Sequence, residues 1–68
     1  MKNTKFLVKL VRATRAAEYV ERIDRNPVKT TLKPNLALVM GKLTAEDVVN
    51  SLSTSRCIPE LVPVQVNQ

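Results

Sequence analysis

The chain has 68 residues, of which 44% are apolar and 25% are charged, and its formal net charge is +5. A chain of this length can build only one hydrophobic core, which excludes two-domain and large-cleft enzymes. We therefore expect a single domain over residues 1–68, with residues 1–4 and 67–68 frayed.

Two residue types that build many catalytic and metal sites are scarce in this sequence. It contains no histidine and one cysteine, Cys57. A four-ligand zinc site, a Cys/His nucleophile or an internal disulfide cannot be assembled from them within one chain, so we expect no metal and no cofactor. We expect Cys57 to be a small buried apolar side chain, and a single thiol fits a reducing compartment.

The apolar runs of the sequence are short. The longest one near the start is Phe6-Leu7-Val8, which Lys9 interrupts. A secretory signal needs about 7 to 15 apolar residues and a membrane-spanning helix about 20. We therefore expect a cytoplasmic protein that has no membrane partner.

Positive charge is concentrated in the first half of the chain. Residues 1–33 carry nine basic and three acidic side chains, which gives +6, whereas residues 34–68 carry two basic and three acidic side chains, which gives −1. This asymmetry favours a polyanionic partner, either nucleic acid or an acidic protein.

Residues 5–12 are predicted to form the first strand. Phe6, Val8 and Leu10 alternate with Lys5, Leu7, Lys9 and Val11, which is the period of an extended chain with two differing faces. Lysines at helical spacing leave an alternative open, in which residues 4–25 form one long basic amphipathic helix that could lie on an anionic membrane. The β-branched and aromatic content favours the strand.

The period changes after Thr14, which we interpret as the N-cap of a first helix. Apolar side chains then recur at helical spacing, and arginines and glutamates share the opposite side. Asn26-Pro27 would end this helix, because the residue before a proline avoids the helical region.

A hairpin is predicted next. Residues 27–32 are β-branched and alternating, residues 33–35 carry turn chemistry around Pro34, and residues 36–40 form an apolar run. The two runs are interpreted as the second and third strands.

A second helix and a fourth strand complete the predicted elements. Thr44 is the expected N-cap of a helix over residues 44–52, whose apolar positions follow the i, i+3, i+4, i+7 rule. Residues 60–66 alternate apolar and polar side chains and contain Pro63, which cannot donate a hydrogen bond within a sheet. This strand therefore belongs at an edge.

The predicted order βαββαβ indicates an α+β domain of the ferredoxin-like, split βαβ type, with two helices on one face of a four-stranded sheet. The first and third strands would be central, and the second and fourth would be edges. The predicted core comprises Phe6, Val8, Leu10, Val28, Leu32, Leu36, Leu38, Met40, Val62, Val64 and Val66.

The uncovered sheet face of this fold would be basic, and the function predicted from it is nucleic-acid binding. The expected phosphate contacts are Lys5, Lys9, Arg12, Arg15, Lys29 and Lys33. The single Phe would face the core, so binding would be led by phosphate contacts and would have little sequence preference.

The same face would also carry an apolar patch, which a soluble monomer seldom leaves uncovered. Its predicted members are Leu7, Val11, Ala37, Val39 and Leu61. A homodimer would bury this patch. The alternative function is a small adaptor or inhibitor, of the accessory type that phages and mobile elements encode, which binds another protein through the patch.

Enzymatic function is not expected. The sequence has six carboxylates, and Glu18 and Glu21 are interpreted as salt-bridge partners of nearby arginines. Glu46 and Asp47 suit the N-terminal end of the second helix. None has an evident acid or base partner, so we expect a binding module.

Overall fold

The computed structural model describes residues 2–67, with side chains described for residues 4–65. One α-helix packs on one face of a four-stranded antiparallel sheet whose order is β3-β2-β1-β4. The elements are β1 Lys2–Arg12, β2 Glu18–Arg22, β3 Lys29–Thr31, a 3-10 helix Pro34–Leu36, α1 Lys42–Leu52 and β4 Cys57–Asn67.

The predicted ferredoxin-like fold with two helices is therefore wrong. The described residues contain one α-helix, and all strand pairings are antiparallel. The domain is a small α+β unit in which the first and last strands pair along their whole length, from Lys2 opposite Asn67 to Arg12 opposite Cys57.

The strand predicted over residues 5–12 is confirmed as part of β1. The alternative basic helix over residues 4–25 is wrong, since those residues form β1, a turn and β2. Of residues 1–4 and 67–68, which were expected to fray, residues 2–4 belong to β1 and Asn67 belongs to β4, and Met1 and Gln68 lie outside the described residues.

The first predicted helix is wrong because its residues form a turn after β1 and then β2. Thr14 lies in the turn and caps no helix. Tyr19 and Val20 have high β propensity, and pairing with β1 buries Val20 completely while Tyr19 lies opposite Lys9. Helical spacing over two turns did not distinguish this segment from a short strand.

The third predicted strand is also wrong. Pro34 starts a 3-10 helix, and Leu36 at its end is exposed. Only one bridge joins this segment to β1: the Phe6 N–H donates to the Met40 oxygen at 2.7 Å, and the Met40 N–H donates to the Phe6 oxygen at 2.8 Å. The 3-10 helix that Pro34 starts takes up Leu36, the first residue of the predicted strand, and no continuous ladder forms over residues 36–40.

The predicted second helix is confirmed as α1, but it begins earlier. Gly41 is the N-cap, and its oxygen accepts the Ala45 N–H at 2.9 Å, so Thr44 lies in the first turn. Ala45 and Val48 are buried, and Val49 and Leu52 pack against the core. Among helices of residues 2–67, none is long and apolar enough to cross a bilayer.

The core lies between α1 and the sheet face that carries the even-numbered residues of β1. Its buried members are Val8, Leu10, Val20, Met40, Ala45, Val48 and Cys57, with Phe6, Val28, Leu38 and Leu61 packed around them. The burial expected for Cys57 is confirmed.

Four members of the predicted core do not lie in it. Leu32 and Leu36 are exposed because the segments after β3 leave the sheet. Leu10 opposite Pro59 and Val8 opposite Leu61 put the odd-numbered residues of β4 on the α1 face, so Val62 and Val64 lie on the other face. The side chain of Val66 is outside the described part.

Candidate functional site

Three arginines come together at the end of the sheet where β1 stops and β4 starts. Arg12 lies opposite Cys57 in the β1–β4 ladder, which brings the turn after β1 next to the turn before β4. A cavity of about 740 Å³ at this end is lined by Arg12, Arg15 and Arg56 together with Thr14 and Ser55. We call Arg12, Arg15 and Arg56 the arginine cleft.

The arginine cleft continues around the end of the sheet towards α1. A second cavity of about 650 Å³ shares all three arginines and is also lined by Glu18, Thr54 and Leu52. The first cavity includes Val11 and Ile58 on the sheet face opposite α1. The arginines therefore border both sides of the sheet.

One carboxylate opposes the three cations. Arg12 Nη1 donates to Glu18 Oε1 at 2.5 Å, and both side chains are partly buried. Within the described part of the chain, Arg15 and Arg56 have no carboxylate within 4.0 Å, and both are exposed. The arginine cleft therefore carries two positive charges that are not neutralised locally.

The turn that carries Arg56 is held by Thr54. Its Oγ1 accepts the N–H of Arg56 at 3.2 Å and the N–H of Cys57 at 3.1 Å, and its own N–H donates to the Cys57 oxygen at 3.1 Å. Such side-chain-to-backbone bonds are typical of Ser and Thr in turns. They hold the backbone of Arg56 in the bend just before β4, and Arg56 lines both cavities.

The sheet face opposite α1 is not covered by any helix of residues 2–67. We call it the open face. In strand register its rows are Lys5 opposite Val64, Leu7 opposite Val62, Lys9 opposite Glu60, and Val11 opposite Ile58. Tyr19 of β2 lies beside Lys9 on the other side.

The six residues predicted to contact phosphate are divided among three places. Arg12 and Arg15 lie in the arginine cleft, and Lys5 and Lys9 lie on the open face. Lys29 and Lys33 lie at the β3 edge, where Lys29 Nζ is 3.3 Å from Glu21 Oε2. The structure therefore separates the six into three pairs, of which Arg12 and Arg15 line the same cavity.

The five residues of the predicted apolar patch are also divided. Leu7 and Val11 lie on the open face, whereas Leu61 packs against the core on the α1 side. Ala37 and Val39 belong to no strand, and the Ala37 N–H caps the 3-10 helix by donating to the Pro34 oxygen. Val39 lies between Leu38, whose N–H donates to the Val20 oxygen, and Met40, which is bridged to Phe6.

Four residues that share these surfaces were not among the predicted site residues. They are Arg56 in the arginine cleft, and Ile58, Val62 and Val64 on the open face. Recognising the β1–β4 pairing in the sequence would have identified them. The sequence feature that indicates this pairing is the presence of two apolar-rich segments of equal length, residues 2–12 and 57–67, at opposite ends of the chain.

Another ion pair lies outside the arginine cleft. Arg22 Nη2 donates to Asp24 Oδ2 at 2.5 Å, and both residues are exposed. This hydrogen bond lowers the pKa of the Asp24 carboxyl and raises the pKa of Arg22. The two charges offset each other.

The described residues contain no group of three His, Cys, Asp or Glu side chains that could hold a metal ion. Comparisons with protein family models, with curated proteins and with solved structures gave no match to this chain.

Proposed function

We propose that this protein is a non-enzymatic module that binds nucleic acid through its phosphates, with the arginine cleft as the principal contact. The observation that carries the proposal is the convergence of Arg12, Arg15 and Arg56 around two connected cavities with a single opposing carboxylate. A cytoplasmic location is part of the same proposal.

The chemistry of the arginine cleft suits phosphate. The guanidinium group is planar, stays charged and can donate two parallel hydrogen bonds to one phosphate. Thr14 and Ser55 line the same cavity and add hydroxyl donors. Backbone phosphates are also the group that a protein with pI of about 9.9 attracts at long range.

Lys5 extends this positive surface along β1. It is seven residues from Arg12, which corresponds to about 24 Å at the rise of an antiparallel strand. A polymer with regularly spaced phosphates can contact Lys5 and the arginine cleft together, whereas a single small anion cannot. We therefore favour nucleic acid over a free nucleotide.

The carboxylates support a binding role. Glu18, Glu21 and Asp24 each form an ion pair with a basic side chain. A carboxylate held in this way stabilises a cation and is poorly placed to transfer a proton to a substrate.

Fluorescence anisotropy with labelled single-stranded DNA, single-stranded RNA and duplex DNA over a range of salt concentrations tests the proposal. We expect the logarithm of the affinity to fall linearly with the logarithm of salt concentration. Arg15→Gln combined with Arg56→Gln should weaken binding and reduce the magnitude of that slope by about 2, since each neutralised phosphate contributes roughly one unit.

The matched control removes two positive charges elsewhere, by Lys33→Gln combined with Lys42→Gln, and should leave the slope nearly unchanged. Equal losses in the two double variants would show that net charge alone drives binding, which would contradict the assignment to the cleft. Wild-type protein that binds none of the three probes at low salt would overturn the proposed function.

A further inference from the structure

We infer that the open face is the contact surface for a second copy of this chain, packed face to face about a two-fold axis that runs parallel to β1 and β4. The inference rests on the composition of the open face and is independent of the proposed function.

The open face is mainly apolar in its described rows. Five of its side chains are Leu7, Val11, Ile58, Val62 and Val64, and Ile58 is 61% exposed. Val11, Val62 and Val64 are partly exposed, whereas Leu7 is only 8% exposed. No helix covers these side chains, because α1 packs on the opposite face. A surface of this kind is usually covered by another sheet or helix.

One row decides which partner fits. Lys9 and Glu60 lie opposite each other in the middle of the open face, with Leu7 and Val62 on one side and Val11 and Ile58 on the other. A surface that covers the open face must therefore place a carboxylate against Lys9 and a cation against Glu60. It must also present apolar groups on both sides of this charged row. The open face itself has this arrangement.

The orientation of the axis follows from the same row. Two packed sheets keep their strands within about 30° of each other at a separation of about 10 Å. An axis parallel to the strands places β1 of one copy over β4 of the other, so Lys9 faces Glu60 of the second copy. Leu7 and Val11 then face Val62 and Ile58 of the second copy.

A two-fold axis perpendicular to the strands, in the plane of the interface, gives a worse match. It places β1 of one copy over β1 of the other. Depending on where the axis crosses the strand, Lys9 then faces Lys9, an apolar residue or another lysine of the second copy. Like charges or an unpaired cation would then be buried, which opposes association. Charge complementarity therefore selects the parallel axis.

This arrangement places the two arginine clefts at the same end of the dimer, because the axis preserves the direction of β1. Residues that belong to the α1 face stay outside the interface. The only lysine that lies over an apolar residue is Lys5, facing Val64 of the second copy at the end of the surface, where its ammonium group can reach water.

Sedimentation equilibrium over a range of protein concentrations, without nucleic acid, tests the inference. We expect association of the 7.6 kDa chain into a dimer. Ile58→Glu should weaken association at least about tenfold, because each interface would bury two added carboxylates. The matched control is Leu43→Glu, which changes a side chain that is 78% exposed on α1 and should leave the mass unchanged.

A charge exchange tests the axis. Lys9→Glu and Glu60→Lys should each weaken association, since like charges then face each other across the interface. A mixture of the two variants should form a heterodimer, because every facing pair is again opposite in sign, and the double variant should recover the wild-type association. Circular dichroism establishes that each variant is folded.

A wild-type chain that stays monomeric at all concentrations would overturn the inference. Association that Leu43→Glu disrupts as strongly as Ile58→Glu would also overturn it, since the contact would then lie elsewhere. Folded single-charge variants that remain dimeric, or that fail to combine when mixed, would exclude the parallel axis. Because no nucleic acid is present, these outcomes leave the proposed function to its own experiment.

Discussion

Three side chains at the centre of the core determine much of the stability of this small domain. Val8 and Val20 are fully buried, and Leu10 is 2% exposed. Val8 and Leu10 belong to β1 and Val20 belongs to β2, and the three meet beneath α1, where Ala45 and Val48 complete the contact. With so few buried residues, each contributes a large fraction of the net free energy of unfolding.

Leu10→Ala should lower the free energy of unfolding by about 2 to 5 kcal/mol, because it removes buried methyl groups and leaves a cavity that the strands cannot fill. Leu43→Ala is the control, since its side chain is mostly exposed and the change should stay within about 0.5 kcal/mol. Urea unfolding followed by circular dichroism measures both. A loss below about 1 kcal/mol for Leu10→Ala would contradict the central position of this residue.

At the scale of elements, the β1–β4 pair forms the main ladder of the sheet, and the outer edge of β4 is protected by prolines. The Phe6 N–H and oxygen both bond to Met40, so Phe6 and the opposite residue Pro63 do not bond to each other. In an antiparallel ladder this alternation repeats every two residues, which turns the backbone nitrogens of Pro59 and Pro63 away from β1. The prolines therefore remove two donors from the free edge without weakening the ladder.

Pro63→Val should restore a free donor at this edge and promote edge-to-edge association, with little loss of monomer stability. Gln65→Val is the matched control, because it adds a similar side chain to the same strand without adding a backbone N–H. Light scattering and thioflavin fluorescence at equal concentration compare the two variants. Equal aggregation of both would indicate that side-chain hydrophobicity, and not the edge donor, is responsible.

At the scale of the whole molecule, the two ends of the described chain lie side by side. Lys2 is opposite Asn67, so the longest strand pairing joins the most distant parts of the sequence. Forming this pairing closes a loop of nearly the entire chain, and the entropy of that closure opposes folding. The sequence separation also explains why the open face and the arginine cleft are built from both ends.

Joining Gln68 to Met1 through a short Gly-containing turn should stabilise the protein by up to about 4 kcal/mol, because the loop is then closed in the unfolded state as well. Thermal unfolding of the cyclised protein should be compared with that of a linear chain carrying the same added residues. An unchanged or lower midpoint in the cyclised protein would contradict the adjacency of the two ends.

Local patterns were sufficient for some elements and insufficient for others. Alternation identified β1 and the proline-containing edge strand β4, and the i, i+3, i+4, i+7 pattern identified α1. Tyr19 and Val20 satisfied a helical pattern and still joined the sheet, because burial of Val20 beside β1 outweighs a weak local preference. Residues 36–40 have strand-like composition, but Pro34 and the 3-10 helix leave one bridge.

The candidate site shows the same division. Positive charge in the first half of the chain indicated a polyanionic partner and included Arg12 and Arg15, but it could not include Arg56, which is distant in sequence. The predicted register of β4 was wrong by one residue. It placed Val62 and Val64 in the core and Leu61 on the open face, whereas the structure has the reverse. A shift of one position reverses every side chain of a strand.

The sequence by itself determined the single-core size of this protein, the excess of positive charge, the absence of histidine and the local period of β1, α1 and β4. These properties depend on composition or on neighbours within a few residues. The tertiary structure decided the strand order, the face that each β4 side chain occupies and the meeting of Arg12, Arg15 and Arg56. Those features depend on contacts between the two ends of the chain, whose register is set by packing and not by local sequence.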